Sequence, residues 1–235
     1  MKLGILTFQS RQYQNFDAVD ELFRAAQALG CDVEIVYAEH LQLRVGGKKT
    51  VITHKGKALP AYDVLLARPR IIGDPAIPKT VLTEVERAGY RLINCADGFF
   101  AAKNKIESLM RLQAAGLPLI PSSVVYNMEE AERAAKSYGF PVVLKVPYRS
   151  QGTGVFFAES VTSLRPIADF LISRGFDDPM VVQKFVKGIR ADVRAFVIGN
   201  KVVASAKRHL AAGEFRANQK QGAEMEPIVL TKQQQ

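Results

Sequence analysis

The residues with chemistry to offer lie in the second half of the chain. They are Lys105, Lys145 inside Val142-Val143-Leu144-Lys145-Val146, the stretch Ser150-Gln151-Gly152-Thr153-Gly154-Val155, Asp192-Val193-Arg194, Lys207-Arg208, and Glu214-Phe215-Arg216-Ala217-Asn218. In this order they describe a nucleotide clamp. Lysines stand on strands or beside them, a glycine turn can bring backbone N–H groups against phosphate oxygens, and further cations follow. The pattern points to a nucleotide-dependent enzyme.

Each fragment has a plainer reading. A lysine in an apolar strand needs a partner, because burying an unpaired ammonium costs several kcal/mol. A phosphate would serve Lys145, and so would a strand-edge position that reaches water. Gln151-Gly152-Thr153-Gly154 is not a Walker loop, since no Gly-Lys-Ser/Thr follows. It is not a dinucleotide fingerprint, since Gly154 opens a strand, and an ordinary turn is its alternative. Lys105, beside Lys103 on one expected helix, could be a solvated face. Arg208 and Arg216 could be surface charge, although arginine forks suit phosphate and carboxylate bidentately. His40, His54 and His209 show no metal or catalytic spacing, and His209, beside the candidate site, reads as a spectator.

Composition narrows the classes. At 235 residues, 48% hydrophobic and 23% charged, the chain suits one large domain or two small ones. No apolar run approaches the roughly 20 residues that span a bilayer, and the first residues read as a strand, not a signal peptide. Cys31 and Cys95 give no disulfide framework and are expected as buried thiols in a reducing cytoplasm. The net charge of +9 could serve nucleic acid or small anions. The lack of basic runs argues against nucleic acid and for nucleotide phosphates and an acidic substrate.

The elements that must hold these residues fall in two patterns. In 1–95, the strands Leu3–Phe8, Val33–Tyr37, Asp63–Ala67 and Arg91–Asn94 alternate with helices, with a small hairpin in Gly46–Leu59. That alternation implies a parallel sheet covered on both faces. From 96 onward the reading is α+β. A helix covers Ala101–Ala115, and Asn127 caps another, with Glu130 three residues on. Strands follow at Val142–Val146, Val155–Ala158 and Met180–Val186, with a helix near Thr162–Ser173. Gly199-Asn200 joins Asp192–Ile198 to Lys201–Ala206 as a two-residue hairpin.

Together the blocks resemble the ATP-grasp superfamily, and within it the RimK-type glutamate ligases. The matching stretches are Ala102-Lys103-Asn104-Lys105 with Ser108, Val143-Leu144-Lys145-Val146, Gln151-Gly152-Thr153-Gly154-Val155 with Ala158-Glu159, Val182-Gln183-Lys184-Phe185-Val186, Asp192-Val193-Arg194, and Arg208 through Asn218. The N-terminal third joins them through Lys55-Gly56-Lys57-Ala58-Leu59-Pro60. The resemblance implies an α/β domain over 1–95 and an α+β ATP-grasp domain over 96–235, with a lid at about 118–188. It implies that Lys105 and Lys145 contact the phosphates of ATP, with the turn Gln151, Gly152 and Gly154 closing over them. By the same resemblance, Gln183, Lys184, Phe185 and Val186 are expected to form the linker that hydrogen-bonds adenine. The resemblance also implies that Asp192 holds the ribose and that Arg208, Arg216, Ala217 and Asn218 line the phosphate and acyl-phosphate region, with Arg208 catalytic. Lys184 departs from the acidic residue usual there.

The family also implies Mg²⁺, held by an Asp on a late strand and a Glu-x-Asn pair beyond the arginine–asparagine block. No Glu-x-Asn follows Asn218 before Gln235. The expectation is therefore a C-terminally incomplete ATP-grasp fold with no metal ligands of its own. The reaction implied is ATP-dependent ligation of a carboxylate to an amine, adding glutamate or a similar amino acid to a peptide, protein or small acceptor. The alternative is a non-catalytic nucleotide-binding module. A homo-oligomer is compatible with either.

Overall fold

The computed structural model describes residues 1–8, 17–69, 71, 73–148, 154–173, 179–211, 214, 224–232 and 234; for 17, 172 and 173 it describes the backbone alone. The chain divides into two compact units, Met1–Asn104 and Lys105–Gln235.

The first unit is built as its strand–helix alternation dictates. It runs β1 (Lys2–Thr7), α1 (Asp17–Ala28), β2 (Asp32–Tyr37), a short 3₁₀ turn at Ala38–His40, β3 (Leu41–Arg44), β4 (Val51–His54), β5 (Lys57–Ala58), β6 (Val64–Arg68), α2 (Ala76–Arg87), β7 (Leu92–Ile93) and α3 (Ala96–Lys103). Strands β2-β1-β6-β7 form an all-parallel sheet. Its register sets Leu6 beside Val36 and Ala67, and Leu65 beside Leu92. These side chains pack with Leu82 and Val85 of α2 and Phe100 of α3. Alternate positions such as Ile5, fully buried, turn to the other face, and α1 packs on β1 and β2. Gly4 is fixed by closeness: a Cβ there would sit 2.3 Å from Leu65 Cδ2. The expected hairpin is a three-stranded antiparallel sheet, β3-β4-β5. Its tight turn is Lys55-Gly56, with φ of 52° and 76°, as a type I′ hairpin turn requires.

The two cysteines are not the buried thiols expected from sequence. Cys31 is half-buried and Cys95 exposed. Cys95 follows the two-residue strand β7 as the N-cap of α3, beyond the core.

The expected single helix over Ala101–Ala115 is two helices, α3 and α4 (Lys105–Ala114), parted at Asn104, whose φ of −88° and ψ of 111° are extended. The break has a long-range cause. The Lys105 N–H donates to the Pro147 carbonyl at 3.2 Å instead of continuing a helix.

The second unit continues with β8 (Ser122–Val125), α5 (Met128–Tyr138), β9 (Val142–Lys145), β10 (Val155–Ala158), α6 (Val161–Ser173), β11 (Met180–Lys184), β12 (Ala191–Ile198), β13 (Lys201–His209) and β14 (Glu224–Pro227). Strands β10-β9-β11-β8 form an antiparallel sheet, and β12-β13-β14 form another. Asn127 caps α5, its Oδ1 accepting from the Glu130 N–H at 2.9 Å. The Glu130 carboxylate turns to Arg133, so the box is not reciprocal. Arg165 of α6 donates to Glu132 of α5 at 2.6 Å, fastening the two helices.

Candidate functional site

The four-stranded sheet of the second unit has two unlike faces, and the period of a β-strand decides which residue goes where. Val142, Leu144, Val146, Ala158, Met180, Val182 and Val125 form one core with α5 and α6. Their neighbours point the other way. By register that face carries Val155 and Phe157 of β10, Val143 and Lys145 of β9, Val181 and Gln183 of β11, and Ser122 and Val124 of β8. Phe157 meets Phe185 edge to face, with centroids 4.9 Å apart. The result is an apolar floor with one ammonium set in it.

That ammonium belongs to Lys145. Strand β9 is interior to the sheet, so the strand-edge reading does not hold. Lys145 Nζ donates to Gln183 Oε1 at 2.6 Å. Gln183 Nε2 donates to Ser122 Oγ at 2.7 Å, and the Ser122 hydroxyl donates to the Ile120 carbonyl at 2.8 Å. Burial pushes the Lys145 pKa below its ordinary value, because a low-dielectric surrounding disfavours the charged form. Its partner is a neutral amide, so the positive charge stays open to an anion.

Lys105 lies at the end of the same strand. Its Nζ donates to the carbonyls of Val146 at 3.1 Å and Pro147 at 3.5 Å. The Val146 N–H donates to the Gly154 carbonyl at 3.0 Å. Gly154 has a φ of 67°, a conformation that suits glycine. Gln151 and Gly152 lie outside the described residues, as do Arg216, Ala217 and Asn218.

The linker after β11 is partly engaged. The Lys184 N–H donates to the Pro121 carbonyl at 2.9 Å, and the Phe185 N–H to the Pro141 carbonyl at 3.3 Å. An antiparallel ladder would return a bond from residue 121 to the Lys184 carbonyl. Proline has no N–H to give, so the ladder offers that carbonyl no donor. The Lys184 and Val186 residues are exposed and Phe185 is half-buried.

Asp192 and Arg208 face each other across β12 and β13. Arg208 Nε donates to Asp192 Oδ1 at 2.7 Å and its second guanidinium nitrogen to Oδ2 at 2.6 Å. The sequence places Lys207, Arg208 and His209 after a strand. Instead β13 runs through His209, because β12 pairs with it on one side up to His209 and β14 on the other from Ala206 to His209. His209 Nε2 lies 3.1 Å from Glu226 of β14. Arg194 stacks over the Phe196 ring at 4.9 Å.

The structure thus joins Lys145 to Gln183, Lys105 to the end of β9, and Asp192 to Arg208. Ser122, the far partner of Gln183, escapes sequence reasoning: a serine opening a strand carries no signal of its own. Among the described residues, no group of three or more His, Cys, Asp or Glu side chains could hold a metal ion. No helix among them is long and apolar enough to cross a membrane.

A parallel-sheet unit followed by an antiparallel, helix-backed sheet with a lysine on its open face is the ATP-grasp architecture. The comparisons agree. Residues 102–235 match the family model described as the RimK-like ATP-grasp domain. A "Probable alpha-L-glutamate ligase" of Thioalkalivibrio sulfidiphilus is 31% identical over 237 aligned positions, covering 100% of this chain and 76% of that protein. The RimK domain ATP-grasp protein of Sphaerobacter thermophilus superposes with a TM-score of 0.63 at 19% identity, covering 87% of this chain and 72% of that one. The ATP-grasp ligase PsnB, complexed with minimal precursor, Mg and ADP, superposes with a TM-score of 0.66 at 16% identity, covering 98% and 76%. The chain belongs to the RimK-like ATP-grasp family.

Proposed function

We propose that the chain binds ATP on the open face of β10-β9-β11-β8 and uses it to ligate a carboxylate to an amine. The observation that carries this reading is Lys145, an ammonium on that face whose hydrogen-bond partner is uncharged. Lys145 and the glycine turn take the phosphates, while Lys105 anchors the turn and lends its charge. The Lys184 carbonyl and the Val186 N–H take the adenine edge. Residues at about 118–188 serve as the lid. Asp192 faces the ribose, and Arg208, with Arg216, Ala217 and Asn218, faces the acyl phosphate.

In the reaction, a substrate carboxylate oxygen takes the γ-phosphoryl group and ADP leaves. The amine nitrogen then attacks the acyl carbon, phosphate departs, and the amine gives up a proton. Such chemistry asks the protein chiefly for positioning and charge compensation. The cations Lys105, Lys145, Arg208 and Arg216 suit that task. The name of the Thioalkalivibrio relative and the precursor peptide in another PsnB complex support glutamate, or a similar amino acid, joined to a peptide, protein or small acceptor.

The test is ADP release with ATP, Mg²⁺ and glutamate across a panel of acceptor peptides, beside ATP titration of the wild type and Lys145→Met. The expected result is acceptor-dependent ADP release, and an ATP affinity lowered at least about tenfold in the variant. ATP binding with no ADP release for any acceptor would make the chain a nucleotide-binding module. Equal ATP affinity in both proteins would remove Lys145 from the site.

A further inference from the structure

We infer that Gln183, oriented by Ser122, is a positioning residue that aims the Lys145 ammonium at phosphate without neutralising it. This rests on the ATP-binding reading above.

The argument starts at the far end of the relay. The Ile120 carbonyl can only accept, so the Ser122 hydroxyl must donate to it. That leaves a Ser122 lone pair for the Gln183 side chain, and only the NH₂ end of the amide can donate to it. The amide orientation is then settled, and its oxygen faces Lys145. Gln183 is 9% exposed, and a buried amide left with an unmet donor or acceptor is costly. Flipping the amide would put its NH₂ against an ammonium that has no acceptor lone pair. Each group therefore holds the next in one direction, from the backbone at Ile120 to Nζ of Lys145.

The chemical type of Gln183 matters as much as its place. A carboxylate in its position would hold the ammonium more strongly, but would cancel the charge that an anion needs. A neutral acceptor fixes the geometry and keeps the potential. A leucine would keep the bulk and lose both the aim and the orientation from Ser122.

The test compares wild type, Gln183→Glu, Gln183→Leu, Ser122→Ala and Lys145→Met for affinity toward ATP and toward adenosine. ATP affinity should fall about fivefold to tenfold in Gln183→Leu and further in Gln183→Glu, while adenosine affinity holds in both. Ser122→Ala should fall in the same direction by less. In Gln183→Glu the loss of ATP affinity at high pH should begin at a higher pH than in wild type, because the added carboxylate raises the Lys145 pKa. Equal losses for ATP and adenosine would show that Gln183 only supports the strand and would overturn the inference. So would wild-type ATP affinity in Gln183→Glu, a variant close in shape to the parent, when Lys145→Met binds poorly. If Lys145→Met itself binds ATP like the wild type, the ATP-binding reading fails first.

Discussion

Arg208 holds Asp192 by both prongs of its guanidinium, at 2.7 and 2.6 Å, as a direct cross-strand pair of β13 and β12. The arginine side chain is 17% exposed and the aspartate 42%. Two residues assigned to neighbouring parts of one nucleotide are thus each other's partners. The aspartate fixes the plane of the fork, which a lysine could not reproduce.

Arg208→Lys keeps the charge but loses the planar, two-pronged donor set. Turnover should fall at least about tenfold, while ATP affinity changes less. Single-turnover ADP release beside ATP titration separates the two quantities. Because the pair is partly exposed, Asp192→Asn should cost about 1 kcal/mol of stability or less in urea denaturation.

The Lys145 ammonium should set a pH limit on ATP binding. Burial places its pKa below the ordinary 10.5, so the charge is lost earlier in an alkaline titration. ATP affinity should decline as pH rises through that lowered pKa, and Lys145→Met should lack the decline. Stability should move oppositely. Below the lowered pKa the fold bears the full cost of a buried ammonium, and the cost is relieved as pH rises from there toward 10.5. Nucleotide titration and thermal melting over the same alkaline series would check both signs.

Lys105 and Lys145 should fail differently. Lys105 Nζ binds two carbonyls at the end of β9, so Lys105→Met should lower stability by about 1 kcal/mol as well as weakening ATP binding. Lys145→Met should leave stability nearly unchanged or improve it. Urea denaturation of both variants distinguishes an anchor from a ligand contact.

In the first unit, His54 should make stability acid-sensitive. Its side chain is 5% exposed, with Nδ1 3.9 Å from Glu34. Nε2 has no hydrogen-bond partner among the described residues. Burial, then Lys55, push its pKa below 6.5; Glu34 opposes them and His40 adds to them. The unfolded chain takes a proton near pH 6.5 while the folded one does not. Stability is full above that pH and is lost as pH falls from 6.5 toward the lower folded value. Melting curves from pH 7.5 to 5 should drop more steeply for wild type than for His54→Phe.

Local pattern made much of this legible. Short apolar runs marked β1, β2, β6 and β9, and Gly199-Asn200 marked the β12–β13 turn, where Gly199 has a φ of 62°. What escaped was set by distant groups. The helix break at Asn104 depends on the carbonyl of Pro147, and the extension of β13 through His209 depends on pairing with both β12 and β14. Lys145 was visible because an ammonium is conspicuous among valines. Its aim was not, because Ser122 and Gln183 are 61 residues apart and meet only across the β8–β11 ladder.

The two faces of β9 make its length less tolerant than its composition. A substitution at Leu144 or Lys145 damages one face and leaves the other. Deleting a single residue between Pro141 and Lys145 would rotate every side chain downstream by half a turn of the pleat. The ammonium would enter the apolar layer under α5 and α6, and a core aliphatic would take its place before the phosphates. Insertions and deletions in this strand should therefore be lost from functional libraries even where most of its single substitutions survive.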